Sequence, residues 1–188
     1  LAVKLFLKAI EQDGVENTII ITPCKQDRIN STFEINKIIQ DKLFPSPKKS
    51  IKIGVKEFRV GDRIIQTVND YEINVMNGET GYVTDIVDNN TIMVRFDNKS
   101  EMMYTRDNCA NIELAYALTI HKTQGSGYKN VICIIDNTHY KLLDSCLLYT
   151  GITRAIKKCL LIAEPSAFRQ CIRNKASDRN TWLKKSFD

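Results

Sequence analysis

Two segments of this chain concentrate side chains that can bind phosphate. The first, Ala115–Ser126, contains Gln124 and Gly125, and the second, Leu147–Ala155, contains Arg154. A planar guanidinium can stabilise the charge that builds on γ-phosphate oxygens during phosphoryl transfer. A glycine lets the backbone approach a ligand closely. The glutamine beside it can contact the ligand too, and can so make binding at a second site depend on whether the ligand is present. The plain alternatives are a surface arginine in a salt bridge and an ordinary polar turn.

The same two segments offer contacts for a nucleic-acid backbone. Lys122 can meet a phosphate as a point charge. His121 is too isolated to be a metal ligand, so we expect it to orient its loop, and a purely structural histidine fits the sequence almost as well. The hydroxyls of four threonines can either donate hydrogen bonds to phosphate oxygens or pack as ordinary strand and helix residues: Thr119, Thr123, Thr150 and Thr153.

A polar and aromatic cluster lies further upstream, in Gln66, Thr67, Asn69 and Tyr71. A base can stack on an exposed tyrosine whatever its sequence, which favours single-stranded nucleic acid as a partner. A turn with a half-buried tyrosine is the competing interpretation. A basic connector precedes the cluster and reads most simply as a solvated loop, although it could also attract single-stranded DNA: Lys48, Lys49, Lys52 and Lys56.

The machinery that would hold a nucleotide is incomplete in the sequence. No G-x-x-x-x-G-K-[ST] phosphate loop occurs, and His121-Lys122-Thr123 has no preceding glycines to bend a backbone around phosphates. The two histidines and six scattered cysteines form no C-x-x-C pair, so no metal site is predicted. No Ser-His-Asp set or pair of catalytic carboxylates stands out. We therefore expect the chain not to hydrolyse ATP by itself.

The bulk composition is that of a globular protein. The 188 residues are 43% hydrophobic and 26% charged, with a net charge of +5 that permits a polyanionic partner without requiring one. No apolar run approaches the roughly 20 residues needed to cross a bilayer. We expect a cytoplasmic protein without a membrane partner, and, because the chain starts at Leu1, a piece of a longer one.

Hydrophobic periodicity predicts an α/β domain. Helical stripes run over Leu1–Glu11 and Ser31–Leu43, and a buried strand over Thr18–Thr22. Further strands are predicted over 113–120, 131–135 and 159–163, with helices over 142–156 and 167–175. Strands that alternate with helices imply a mostly parallel sheet covered on both faces.

A small β unit interrupts this pattern. Residues 56–109 carry short alternating runs, and Asn77-Gly78 is a strong hairpin signal. Strands so closely spaced predict a small barrel. We predict that this barrel occupies residues 71–112 and is inserted in an outer domain formed by residues 1–70 and 113–188.

The motifs resemble those of a known family. Ala115–Ser126 and Leu147–Ala155 are similar to two nucleotide- and DNA-contacting motifs in the C-terminal half of RecD-like superfamily 1 helicases. Ile21-Thr-Pro23 with Asn36 and Gln40 resembles the start of the family's second RecA-like domain. Gly61–Tyr71 resembles the segment before its insert, and 77–81 the opening of that insert, which is a Src-homology-3-like barrel.

The resemblance implies an ATP-dependent helicase that moves 5′ to 3′ on single-stranded DNA. Arg154 would be the arginine finger, and Gln124 and Gly125 would bind the nucleotide with it. ATP and Mg²⁺ would be held mainly by an N-terminal RecA-like domain of the same protein, outside this chain. DNA would contact the cluster at residues 66–71 and the residues around Arg154 and Lys122, and other subunits of an exonuclease complex are candidate partners.

The sequence departs from the family at Gly127, where a glutamate that contacts the nucleotide sugar in related helicases is usual. Met76 stands where an aromatic residue is common. A different class of function therefore stays open, a non-catalytic DNA-binding or docking module derived from a helicase. An RNA substrate is a third possibility, because nothing in the sequence reads a 2′-hydroxyl.

Overall fold

The computed structural model describes residues 1–25, 30–97 and 99–174. The predicted end of the last helix at Lys175, and residues 175–188 of the predicted outer domain, lie outside them. The described residues form five α-helices and eleven strands, in this chain order: α1 (Ala2–Asp13), β1 (Thr18–Thr22), α2 (Thr32–Leu43), β2 (Ser50–Ile53), β3 (Lys56–Arg59), β4 (Arg63–Gln66), β5 (Thr80–Ile86), β6 (Thr91–Phe96), β7 (Glu101–Thr105), α3 (Arg106–Cys109), β8 (Ile112–Leu114), β9 (Ala117–Thr119), β10 (Tyr128–Ile135), α4 (Ser145–Ile152), β11 (Ala155–Ala163) and α5 (Pro165–Arg173).

Four strands form a parallel sheet in the order β11-β10-β1-β9. All five residues of β1 are buried, as expected for a strand covered on both faces. Alternate residues of β1 face opposite sides: Ile20 packs with α1 and α2, whereas Ile19 and Ile21 pack with α4 and α5. The predicted mostly parallel sheet with helices on both faces is confirmed.

Local sequence explains the helices on the first face. Gly14, with a φ of 85°, ends α1, and its N–H donates to the carbonyl of Ile10. Ser31 caps α2 by accepting a hydrogen bond from the N–H of Glu34 at 3.4 Å.

No helix in the described ranges is long and apolar enough to span a membrane.

A second, antiparallel sheet has the order β7-β6-β5-β4-β8. Its apolar face shares one core with the hairpin of β2 and β3, which contributes Ile51, Ile53 and Phe58. The domain limits stay a prediction, but this core reaches back to residue 51. We therefore propose that the inserted unit begins near residue 50 rather than at 71.

The single strand predicted over 113–120 is two strands in different sheets. The N–H of Ala115 donates to the carbonyl of Arg63 in β4, whereas the carbonyl of Tyr116 accepts from Ile20 in β1. The side chain of Asn36 fixes this transfer, because its Oδ1 accepts from the N–H groups of Tyr116 and Ala117 at 2.9 and 2.8 Å. One amide on α2 thus sets where the chain leaves the β unit and joins the parallel sheet.

The helix predicted over 142–156 is shorter, because α4 ends at Ile152 and Ile156 lies in β11. Arg154 accordingly lies in the link between α4 and β11, not on the helix. Gly151 lets α4 approach the sheet closely: a Cβ at this position would stand 3.3 Å from both Cys133 Sγ and Ile21 Cδ1. Because Arg154 follows α4 directly, this close approach also determines how near Arg154 lies to the sheet.

Candidate functional site

The loop at residues 120–127 carries the chain from one edge of the parallel sheet to the other. Thr119 ends β9 opposite Thr22, at the carboxyl edge, whereas Tyr128 starts β10 opposite Ala155, at the amino edge. Parallel strands are usually joined by a helical crossover of a dozen or more residues. Here eight residues with one 3₁₀ turn, His121–Thr123, make the connection. The candidate residues are consequently divided between two edges.

Arg154 lies at the amino edge and binds this loop. Its Nη1 donates to the carbonyl of Ser126 at 3.2 Å and, more weakly, to that of Thr123 at 3.4 Å. Its Nε donates to the carbonyl of Thr150 at 3.0 Å, and its Nη2 to Thr153 Oγ1 at 3.1 Å. Ligands of open parallel sheets usually bind at the carboxyl ends of the strands, but Arg154 lies at the amino edge, next to Ala155, which pairs with Tyr128. These bonds hold the loop against the link between α4 and β11. All four acceptors are uncharged, three carbonyls and one hydroxyl.

The loop residues beside Arg154 are open. Gln124 and Gly125 are exposed, and Gly125 has a φ of 87°, a conformation that favours glycine. A Cβ on Gly125 would meet no atom within 4 Å. An external group can therefore approach this backbone closely. Thr123, in contrast, is fully buried, and its hydroxyl donates to the carbonyl of Ile120 at 2.7 Å.

The carboxyl edge carries a cluster of opposite charges. Lys25 Nζ lies 2.7 Å from Glu113 Oε1, and Lys122 Nζ lies 3.2 Å from Glu113 Oε2. Thr119 Oγ1 accepts from the N–H of Lys122 at 3.3 Å, so the start of the loop is fixed to β9. His121 is exposed in the 3₁₀ turn. Lys25 and Glu113 were not identified from the sequence, and a charged residue inside a predicted strand was the available signal.

The predicted cluster at residues 66–71 is only partly accessible. Gln66 is fully buried; its Oε1 accepts from the Tyr104 hydroxyl at 3.1 Å, and its Nε2 has no partner in the described residues. Thr67 donates to the carbonyl of Asn111 at 2.9 Å. Asn69 donates to the hydroxyl of Tyr71 at 3.2 Å. Tyr71 itself is 77% exposed, so its ring is available to a partner.

Sequence models of two helicase domains match the chain. The ATP-dependent RecD-like DNA helicase SH3 domain matches residues 35–96, and the UvrD-like helicase C-terminal domain matches residues 114–162. The first match agrees with the predicted Src-homology-3-like class of the inserted unit. The second covers the loop at 120–127 and Arg154.

Curated relatives extend the similarity over nearly the whole chain. The ATP-dependent RecD2 DNA helicase of Deinococcus radiodurans is 29% identical over 180 residues, 96% of this chain and 25% of that protein. The RecBCD enzyme subunit RecD of Buchnera aphidicola (subsp. Schizaphis graminum) is 31% identical over 138 residues, 71% of this chain and 23% of that protein. The chain thus spans about a quarter of the length of these relatives.

Solved structures share the fold. Bacteroides Pif1 bound to single-stranded DNA has a TM-score of 0.57 at 20% identity, over 99% of this chain and 52% of that one. The Bacteroides Pif1 complex with ADP-AlF3 and single-stranded DNA has a TM-score of 0.55 at 21% identity, over 89% and 44% of the two chains. This likeness supports a RecA-like helicase fold.

Proposed function

Because this chain is the counterpart of the C-terminal region of RecD-like superfamily 1 helicases, we propose that it forms the half of an ATP-dependent DNA helicase that senses ATP and grips the strand. The parent enzyme would translocate 5′ to 3′ on single-stranded DNA. Its N-terminal RecA-like half would supply the phosphate loop, and the cleft between the halves would close on ATP.

The proposal rests on the contact that Arg154, in the link between α4 and β11, makes with the loop at 120–127. The guanidinium binds two carbonyls of a loop whose other end, at Lys122, lies at the opposite edge of the sheet. When ATP is present, we propose that Arg154 turns from these carbonyls to the γ-phosphate, whose charge binds a guanidinium more strongly than a neutral carbonyl does. The loop would then be released at one end while its other end contacts DNA.

The chain's own residues fit one part of an ATP site. Arg154, the exposed Gln124 and the open backbone at Gly125 suit the phosphate end of the nucleotide. No group of three His, Cys, Asp or Glu residues suited to a metal ion occurs within residues 1–25, 30–97 and 99–174. We accordingly propose that Mg²⁺ and most of ATP are bound by the upstream half.

The proposed DNA grip combines both units of the chain. Tyr71 offers a ring for base stacking, and Lys122 offers a charge for phosphate. Thr67, Asn69, Thr119 and His121 lie near these two residues in sequence and have polar atoms for backbone contacts. Gln66 and Thr123 are buried, so we propose that they support the grip from beneath, and that Thr150 and Thr153 orient Arg154.

Replacement of Arg154 in the intact protein tests the proposal. Arg154→Ala should lower DNA-stimulated ATP turnover by about 10³-fold or more, the range lost when an arginine finger is removed. Binding of single-stranded DNA should change little. Arg154→Lys should restore only part of the turnover, because a point charge lacks the two-pronged geometry. Arg173→Ala, on the exposed surface of α5, is the matched control.

Two outcomes would contradict the proposal. Unchanged turnover in Arg154→Ala would reject the arginine finger. ATPase activity of the isolated 188-residue chain at the rate of the parent would reject the division of labour between the halves. A strand-displacement assay on substrates with 5′ or 3′ single-stranded tails tests the direction, and competition between oligo(dT) and oligo(U) tests the preference for DNA.

A second candidate function is a non-catalytic DNA-binding or docking module. Position 127 favours it, because glycine leaves no carboxylate beside Ser126. The module would bind DNA, or other subunits of an exonuclease complex, with no dependence on ATP. Measuring DNA affinity of the intact protein with and without a non-hydrolysable ATP analogue separates the two functions.

A further inference from the structure

Three lysines surround one glutamate where the parallel sheet meets the inserted unit. Lys25 and Lys122 bind the two oxygens of Glu113 at 2.7 and 3.2 Å. Lys56 lies close enough for its charge to act on Glu113, and its Nζ donates to the carbonyls of Ala110 and Ile112 at 2.7 and 2.9 Å. Three ammonium groups against one carboxylate leave this cluster, the lysine cage, with two excess positive charges.

The cage is partly withdrawn from water. The side chain of Glu113 is 22% exposed and that of Lys122 31%. Burial lowers the pKa of Lys56, and the charges of Lys25 and Lys122 add to this effect. Burial alone would raise the pKa of Glu113, but the bond from Lys25 and the charge of Lys122 outweigh it and lower that pKa. Lys25 is more open, with 50% of its side chain exposed, so the like charges of the cage are only partly screened by solvent.

The lysine cage opens into a cavity between the parallel sheet and the inserted unit. Lys25, Lys56 and Glu113 line it together with the apolar side chains of Phe33 and Leu114. Its volume is about 230 Å³. The walls come from α2, from the β2–β3 hairpin and from β8, so the cavity lies on the seam between the two units.

The cage is connected to both parts of the proposed DNA grip. Lys122 belongs to the loop that Arg154 binds. On the other side, Asn111 is adjacent to the carbonyls that Lys56 binds, and its own carbonyl accepts from Thr67, four residues before Tyr71. These connections suggest the seam as the path of a strand that contacts both Tyr71 and Lys122.

We propose that Glu113 occupies a phosphate site in the absence of DNA, and that a phosphodiester of single-stranded DNA displaces it. The proposal rests on the proposed function, because it places that strand on the seam. A carboxylate and a phosphodiester oxygen pair present the same charge and the same acceptors to Lys25 and Lys122. When DNA binds, a phosphate forms ion pairs with Lys25 and Lys122. The side chain of Glu113 then rotates away from them into solvent. Glu113 therefore competes with DNA and weakens its binding. In the absence of DNA, its negative charge offsets part of the repulsion between the lysines and so stabilises the folded state.

Fluorescence anisotropy with a labelled oligo(dT), in the intact protein and at several salt concentrations, tests the proposal. Glu113→Gln should tighten binding about three- to tenfold at low salt, because the competing anion is gone. It should steepen the slope of log affinity against log salt by up to roughly 0.7, because lysines no longer paired with Glu113 hold counterions that the phosphate then releases. Glu101→Gln, which makes the same change in charge on the exposed strand β7, should have less than a twofold effect.

A double-mutant cycle isolates the displaced pair. Lys25→Met should weaken binding about tenfold and flatten the salt slope, since one phosphate contact is lost. In the Lys25→Met background, Glu113→Gln should improve binding less than twofold, because the lysine that it frees is absent. Thermal melts of each variant separate these effects from loss of the fold.

The outcomes distinguish this proposal from the proposed function. If the wild-type protein does not bind oligo(dT), the proposed function fails and the displacement model fails with it. If it binds, but Glu113→Gln weakens binding or matches Glu101→Gln, only the displacement model is overturned. If Glu113→Gln does not fold, Lys25→Met decides, and an unchanged salt slope in that variant overturns the phosphate site.

Discussion

The hydroxyl of Tyr116 donates a hydrogen bond of 2.9 Å to the fully buried carboxylate of Asp62. The same carboxylate accepts from the N–H of Arg59 at 2.6 Å and from the side chain of Gln40. These partners come from β3, from α2 and from the link between β8 and β9. Asp62 thus ties the antiparallel unit to the parallel sheet at one buried point.

This carboxylate should give stability an unusual pH dependence. Burial raises the pKa of Asp62 to about 6, above its ordinary value near 4. The folded state then binds a proton more tightly than the unfolded state. Its contribution to the free energy of unfolding is therefore most favourable below about pH 4. It declines by on the order of 3 kcal/mol as pH rises from about 4 to 6, and is constant above that range.

Asp62→Asn removes this term. We expect the unfolding free energy of the wild type, measured by urea titration, to fall relative to that of the variant as pH rises from 4 to 6. Asp88→Asn, on an exposed turn, should show no such trend. A difference that is constant from pH 4 to 7 would show that Asp62 titrates normally.

Enlarging Gly151 should destabilise the sheet contact of α4. A Cβ would lie 3.3 Å from Cys133 Sγ and 3.4 Å from Ile120 Cδ1, tighter than ordinary packing. Gly151→Val should cost about 1–3 kcal/mol of unfolding free energy by overpacking. Tyr149→Val, at an exposed position of the same helix, should cost less than about 0.5 kcal/mol. Equal stability of the two variants would mean that α4 can lift from the sheet without strain.

Tyr71 should contribute to DNA affinity without affecting its salt dependence. Tyr71→Ala should weaken binding of oligo(dT) by about 1–3 kcal/mol, the usual value of a stacked base. The salt slope should not change, because no phosphate contact is lost. Tyr71→Phe should keep most of the affinity, while Tyr140→Ala, also at an exposed tyrosine, should keep all of it. A changed salt slope in Tyr71→Ala would indicate a phosphate contact instead.

Restoring the carboxylate at position 127 should be tolerated. The contact at 3.2 Å is with Ile156, which is 68% exposed and free to change rotamer. Gly127→Glu should therefore cost less than about 1 kcal/mol of stability. In the intact protein it should lower KM for ATP, whereas Gly127→Gln should do so less. An unchanged KM in both variants would place the nucleotide sugar away from this position.

Local sequence predicts those elements whose signals are local. The strand Thr18–Thr22 was predicted with its observed bounds, because a β-branched apolar run ends at Pro23. The helix over Ser31–Leu43 is predicted from recurring apolar positions, and α2 spans Thr32–Leu43. The pattern over 113–120 could not reveal two strands, because the side chain that separates them, Asn36, lies about 80 residues away in sequence.

The same limit applies to the candidate site. Arg154, Gln124 and Gly125 were predicted from their motifs, and their roles remain proposals. The lysine cage could not be predicted, because Lys25, Lys56 and Glu113 belong to three separated strands or loops that only the fold brings together. Burial of Gln66 was also hidden, since its partner Tyr104 lies 38 residues further along the chain.

The connection between β9 and β10 contains one 3₁₀ turn and, within the described residues 120–127, no α-helix, which limits how far the two edges of the sheet can move independently. Lys122 and Ser126 are four residues apart, so even a fully extended backbone joins them by roughly 14 Å. A longer crossover would have slack that absorbs a displacement at one edge. This tether has little, so a shift of the arginine-bound end must either pull the lysine-bound end with it or break one of the bonds that anchor it.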